Sequence, residues 1–131
     1  MLTRTKLNKA KKETKVFLKK HQKMGKKSPI YKYSKYLLRN DSFTINYKLS
    51  LEKLNHINVY YNSIDTWYAE TDSVEINLNT YHDYTDNVLK NTLIHEVMHY
   101  LVFKQSKYSV PEHKEHNLME YINPEFITIK E

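Results

Sequence analysis

Asp86-Asn-Val-Leu-Lys90-Asn-Thr-Leu-Ile-His95-Glu96-Val97-Met98-His99-Tyr100-Leu-Val-Phe103 is the stretch on which the reading of this chain turns. It contains no Gly or Pro, and its apolar residues fall on nearly every side of a helical projection. That pattern predicts a helix over 86–103 buried in the middle of a domain. Asp83, Thr85 and Asp86 offer N-caps and first-turn acids. His95 and His99 are four residues apart, so they lie one above the other on one face, about 6 Å apart along the axis. Two imidazoles so placed can close on one tetrahedral zinc with Zn–N distances of about 2.0–2.1 Å. Glu96 follows the first histidine and stands where it can take a proton from a metal-bound water. This is the HExxH pattern of zinc peptidases. The competing reading is two core histidines beside a buried carboxylate. Burying all three on an apolar helix without a ligand is costly, which favours a metal.

A catalytic zinc keeps three protein ligands and an open position. The extended form of the motif, with a third histidine six residues after the second, is absent, because Val102 and Gln105 occupy its glycine and histidine positions. Candidates downstream are Glu112, His113, Glu115, His116 and Glu120. A glutamate ligand at Glu115 or Glu120 fits on spacing alone, and each of these residues could instead be a solvated helix residue.

The remaining pattern is mixed. Residues 3–24 read as an amphipathic helix with Leu7, Ala10, Thr14, Phe17, Leu18 and His21 on one stripe, ended by Gly25 and Ser28-Pro29. Residues 30–39 form a second short helical segment. Its Tyr31, Tyr33 and Tyr36 stand among Lys32, Lys35 and Arg39 and either stack on unpaired bases or pack the helix onto its domain. From Phe43 to Leu51 apolar and polar residues alternate, predicting a strand. Further strands are expected at 57–61, 67–69 and 74–78, and a last helix at 112–122 closed by Asn123-Pro124. The sum is a single-domain α+β fold, with a short antiparallel sheet packed on the HExxH helix.

Charge is unevenly spread. Residues 1–39 carry 14 Lys/Arg against Glu13 alone, a net +13, whereas residues 40–131 carry 7 against 14 acids, a net −7. The division expected is a basic helical arm, 1–39, on a catalytic core, 40–131. Such an arm suits a polyanion, with nucleic acid the partner expected and Lys11, Lys12, Lys19, Lys20, Lys26 and Lys27 as phosphate contacts. Lysine outnumbers arginine there, which favours backbone attraction over base reading. The chain has no cysteine, so disulfides, a Cys-type zinc ribbon and thiol catalysis are excluded. No transmembrane run or secretory signal is read, and an intracellular location, in the cytoplasm or on DNA, is expected.

The stretch His95-Glu-Val-Met-His-Tyr-Leu-Val-Phe-Lys104, followed by Pro111-Glu-His-Lys-Glu-His-Asn-Leu-Met-Glu120 and preceded by Val74-Glu-Ile-Asn-Leu-Asn79, resembles the SprT-like (Spartan-type) zinc metallopeptidases. The resemblance covers residues 57–122. It implies a small zincin-like fold, zinc on His95, His99 and His113, Glu96 as catalytic base, and hydrolysis of proteins associated with or crosslinked to single-stranded or damaged DNA. Two departures stand out. Lys114 replaces the glycine that usually follows the third histidine, which leaves His116 as the alternative third ligand, and the C-terminal Cys-rich ribbon of many members is missing. Tyr108 and His116 are candidates for oxyanion stabilisation. Two other functions fit the residues: a zinc protease of another clan with a Glu third ligand that cuts a specific regulator, and a nucleic-acid-binding protein whose zinc is structural or inactive.

Overall fold

The computed structural model describes residues 2–39, 41–72, 74–104 and 108–127, and of Tyr108 and Ser109 the backbone alone. Five helices and two small sheets enclose one core. The helices are α1 (Arg4–Met24), α2 (Pro29–Leu37), α3 (Tyr47–Lys53), α4 (Asp86–Met98) and α5 (Glu112–Ile122).

Helix α4 is the axis of the molecule. Thr85 Oγ1 accepts the Val88 amide at its start, and nine of its 13 residues are buried, including His95 and Glu96. An all-round apolar helix needs cover on every side, and the first cover is α1. Ala10, Thr14, Leu18 and His21, spaced by four, four and three residues, are its buried stripe. The Thr14 hydroxyl donates to the Ala10 carbonyl at 2.7 Å and so enters the core satisfied. Lys6 Nζ donates to the Tyr84 carbonyl at 2.9 Å and Lys9 pairs with Asp86 at 3.0 Å, which ties α1 to the entrance of α4. The helix expected as part of a basic arm thus packs on α4 and α3. The basic segment is a layer of the core, because its apolar stripe has no other surface to bury against.

Gly25 ends α1 at φ 58°, in the left-handed region that suits glycine. Ser28 caps α2, with its Oγ accepting the Ile30 amide and pairing with His21 Nδ1 at 2.7 Å. Helix α2 then packs on α5, and α5 on α4. Lys114 Nζ reaches the Leu37 carbonyl at 3.5 Å and so joins α5 to the open end of α2.

The strand expected over 43–51 is two elements. After β1 (Phe43–Ile45), Asn46 Oδ1 accepts the Leu49 amide at 2.9 Å and starts α3, which buries Tyr47, Ser50 and, just past its end, Leu54 at helical spacing. The alternation of Tyr47, Leu49 and Leu51 concealed this cap. Helix α4 likewise stops at Met98 rather than at Phe103. The amides of His99, Tyr100 and Leu101 bond three residues back, and β5 (Val102–Lys104) then pairs antiparallel with β1 and with β6 (Tyr108–Ser109). β-Branched and aromatic side chains at 102–103 suit that strand.

The second sheet holds β2 (Ile57–Tyr60), β4 (Ile76–Asn79) and β3 (Ala69–Thr71), in that order. β3 pairs antiparallel with β4, but β2 runs parallel to it, so the sheet is mixed rather than antiparallel. Buried Asn79 holds the crossover, its amide spanning the backbone of Asn62 in both directions (3.0 and 3.1 Å). Ala69, Ile76 and Leu78 are fully buried in the core around α4. No described helix is long and apolar enough to cross a membrane.

Candidate metal centre

Three imidazoles meet at the C-terminal end of α4. His95, His99 and His116 each offer a nitrogen, and these atoms lie within 4.8 Å of one another. Ring centroids are 5.0, 5.0 and 5.1 Å apart, close to an equilateral triangle. His99 is the residue that caps α4, but its backbone stays helical (φ −64°, ψ −22°), so the four-residue alignment with His95 survives the end of the helix.

The third histidine is thus His116, not His113. Helix α5 buries Glu115, Leu118 and Met119, and this face meets the core. His116 sits at the edge of that face with its side chain 31% exposed, while His113 lies in the first turn among exposed residues and stays outside the cluster. The cluster thus gathers His116, the alternative third ligand, and leaves out His113, the one first expected. The carboxylates of Glu112 and Glu120 are on exposed residues, although Glu112 Oε1 comes within 3.9 Å of His116 Nε2.

Two of the rings are held from behind. His95 Nδ1 lies 2.6 Å from the Phe126 carbonyl. A carbonyl only accepts, so Nδ1 carries the hydrogen and Nε2 carries the lone pair that a metal would use. His99 Nδ1 lies 3.2 Å from Glu115 Oε1, an acceptor that fixes the same tautomer. Carboxylate or carbonyl support behind an imidazole is the arrangement by which proteins orient metal-binding histidines. The Phe126 carbonyl is presented by a 3-10 turn, Pro124–Phe126, capped by Asn123. The Phe126 ring packs edge-on against Phe17 of α1 at 5.7 Å, and Asn91 of α4 donates to Glu125 at 3.2 Å. Sequence reading missed both supports. Spacing makes Glu115 a candidate ligand, whereas its carboxylate lies behind His99, and nothing local marks a carbonyl 31 residues away as the partner of His95.

Glu96, 0% exposed, adjoins His95 on α4. Its surroundings include Tyr60, Tyr84 and Tyr100, whose hydroxyls burial pushes well above the ordinary tyrosine range, with the Glu96 carboxylate adding to the shift. All three remain neutral donors at physiological pH. Tyr84 OH donates toward the Tyr68 and Asn79 carbonyls, and Tyr100 OH toward those of Asp72 and Glu75, which pins the turn after His99 to the β3–β4 connection.

Three imidazoles, two of them with Nδ1 engaged by an acceptor, form a donor set that could hold a metal ion and leave one position open. The Tyr108 side chain lies outside the described residues. His116, the other residue considered for the oxyanion, lies in the His95–His99–His116 cluster. Of the six lysines singled out in the sequence, Lys12, Lys19, Lys20, Lys26 and Lys27 are exposed and Lys11 is half-buried. They lie along α1 and the turn after it, and none enters the metal cluster. Compared with known proteins, the chain matches no family model, no curated protein and no solved structure.

Proposed function

We propose that this chain is a zinc-dependent metalloendopeptidase of the SprT-like kind with a zincin-like core. The observation that carries the reading is the donor set. His95, His99 and His116 converge within 4.8 Å, with the Nδ1 atoms of the first two engaged from behind and Glu96 buried alongside. Zinc in that set would act as a Lewis acid on a peptide carbonyl and lower the pKa of water toward about 7. Glu96 then takes the proton of the attacking water and delivers it to the departing amine. His95 and His99 keep their orientation through the Phe126 carbonyl and Glu115. The substrate class proposed is protein associated with or crosslinked to DNA, supported by the +13 charge of residues 1–39 within the same domain.

A second reading is a nucleic-acid-binding protein with a structural zinc. The carboxylate of Glu112, 3.9 Å from His116 Nε2, favours it as the source of a fourth ligand. A clan with a glutamate third ligand fits less well, since His116 completes the cluster and Glu115 is engaged with His99 Nδ1.

The test is zinc content and cleavage of a DNA-binding protein, with and without DNA, for the native chain and Glu96→Gln. Chelator-sensitive cleavage by the native chain, with zinc retained and cleavage lost in Glu96→Gln, is the result expected. Zinc bound with no cleavage in any condition would favour the structural site.

A further inference from the structure

We infer that α2 and α5 together form a stacking platform for single-stranded nucleic acid, separate from the metal centre and from the lysines of α1. The platform is built on Tyr36 and Tyr121. Lys32, Lys35, Tyr36 and Arg39 follow the spacing i, i+3, i+4, i+7, which puts them on one stripe of α2 and the turn that ends it. All four are exposed. The opposite stripe of α2, Ile30 and Ser34, is buried against the core. One aromatic ring framed by three cations thus faces solvent.

Tyr121 of α5 extends the ring surface. It stacks on Tyr33 with centroids 4.9 Å apart and planes 12° apart, and meets Tyr36 edge-on at 6.2 Å. Arg39 lies over the Tyr36 ring at 5.8 Å. Packing alone accounts for Tyr33, which is half-buried. It does not account for Tyr36 and Tyr121, which remain 58% and 49% exposed. Exposed rings beside exposed cations are the pairing that unpaired bases and their phosphates need, with stacking independent of base identity. Charge agrees, since no acidic residue occurs between Glu13 and Asp41. Glu120 beside Tyr121 is the nearest acid in sequence on the α5 side.

The platform also has a bearing on the metal centre. Tyr121 is five residues beyond His116 on the same helix, about 7.5 Å along its axis. A strand lying on the platform would hold an attached protein within reach of the donor set. That consequence rests on the proposed peptidase reading, but the binding itself does not.

The experiment is fluorescence anisotropy on the full-length Glu96→Gln chain, which removes proteolysis from the measurement. The probes are labelled oligothymidylate, oligouridylate and a DNA duplex of equal length. Preference for the single strands over the duplex is expected. The Tyr36→Ala/Tyr121→Ala variant should lose about tenfold in affinity per stacked base for oligothymidylate and keep its duplex binding. Phe at both positions should restore the native value, because the ring rather than the hydroxyl stacks. Equal binding of the two single strands supports recognition through base and phosphate, and a large advantage for either one identifies the natural source as DNA or RNA. Duplex bound more tightly than both single strands, or a double-Ala variant that binds oligothymidylate as tightly as the native chain, overturns the proposal. A peptidase assay that fails leaves this binding test intact.

Discussion

Glu115 stands behind His99, with its Oε1 3.2 Å from the Nδ1 of the ring and both side chains less than a tenth exposed. The pair joins the C-terminal cap of α4 to α5, and it orients one candidate ligand through a residue adjacent in sequence to another. Removing the carboxylate in Glu115→Ala should lower zinc affinity by about 10–100-fold while the ligand set stays intact. Competition against a chromophoric chelator measures this directly, and an unchanged affinity would mean that His99 needs no such support.

The identity of the third ligand is decided by a pair of single substitutions. His116→Ala should abolish stoichiometric zinc binding, whereas His113→Ala, on the exposed first turn of α5, should leave zinc content at the native level. Metal analysis after gel filtration separates the two outcomes. Zinc lost in His113→Ala and kept in His116→Ala would require α5 to turn by about 60° and slide by about 4.5 Å along its axis.

Helix α1 should behave as core, not as an appendage. Leu18 is fully buried between α1 and its neighbours. Leu18→Ala is expected to destabilise the fold by about 2–5 kcal/mol in urea titration, the cost of an unfilled site in a packed interior. A separable arm would register less than about 0.5 kcal/mol.

His21 introduces a pH dependence away from the metal. Burial, and then the charge of Lys20, hold its pKa below the ordinary histidine value of 6.5. As pH falls below about 6.5 the unfolded chain takes up a proton at this site before the native chain does. The stabilising contribution is therefore complete above that value and is lost as pH falls toward the lowered native pKa. His21→Asn, which retains a partner for Ser28, should show a shallower loss of stability on acidification than the native chain. Parallel denaturant titrations across that range, under identical metal conditions, provide the comparison. Equal slopes would show that His21 titrates alike in both states.

Much of this structure was legible in residue pattern, and the exceptions have physical causes. The α4 helix, its burial and the His95–His99 alignment follow from one-dimensional spacing, which helical geometry converts to three dimensions without further information. The ends of elements were less readable. Asn46 starts a helix inside what looks like alternation, and Val102 begins a strand inside what looks like a helix. In both cases apolar residues occur at positions compatible with two periods, and a cap or a pairing partner decides between them. The third histidine depended on which face of α5 is buried, and that is set by Leu118 and Met119 packing into the core rather than by anything between His113 and His116. The support of His95 by a carbonyl is invisible to residue type altogether, since every residue has one.

That last contact carries a consequence for synthesis and for clipping. The ring that opens the motif is oriented by Phe126, and Phe126 is in turn seated against Phe17 near the other end of the described chain. A nascent polypeptide holding His95, Glu96 and His99 in the open, even with His116 already translated, has no finished centre until residue 126 has cleared the ribosome and docked. A chain cut between α5 and the 3-10 turn would keep every ligand and lose the register between them. Metal uptake by the proposed centre should therefore follow the seating of Phe126.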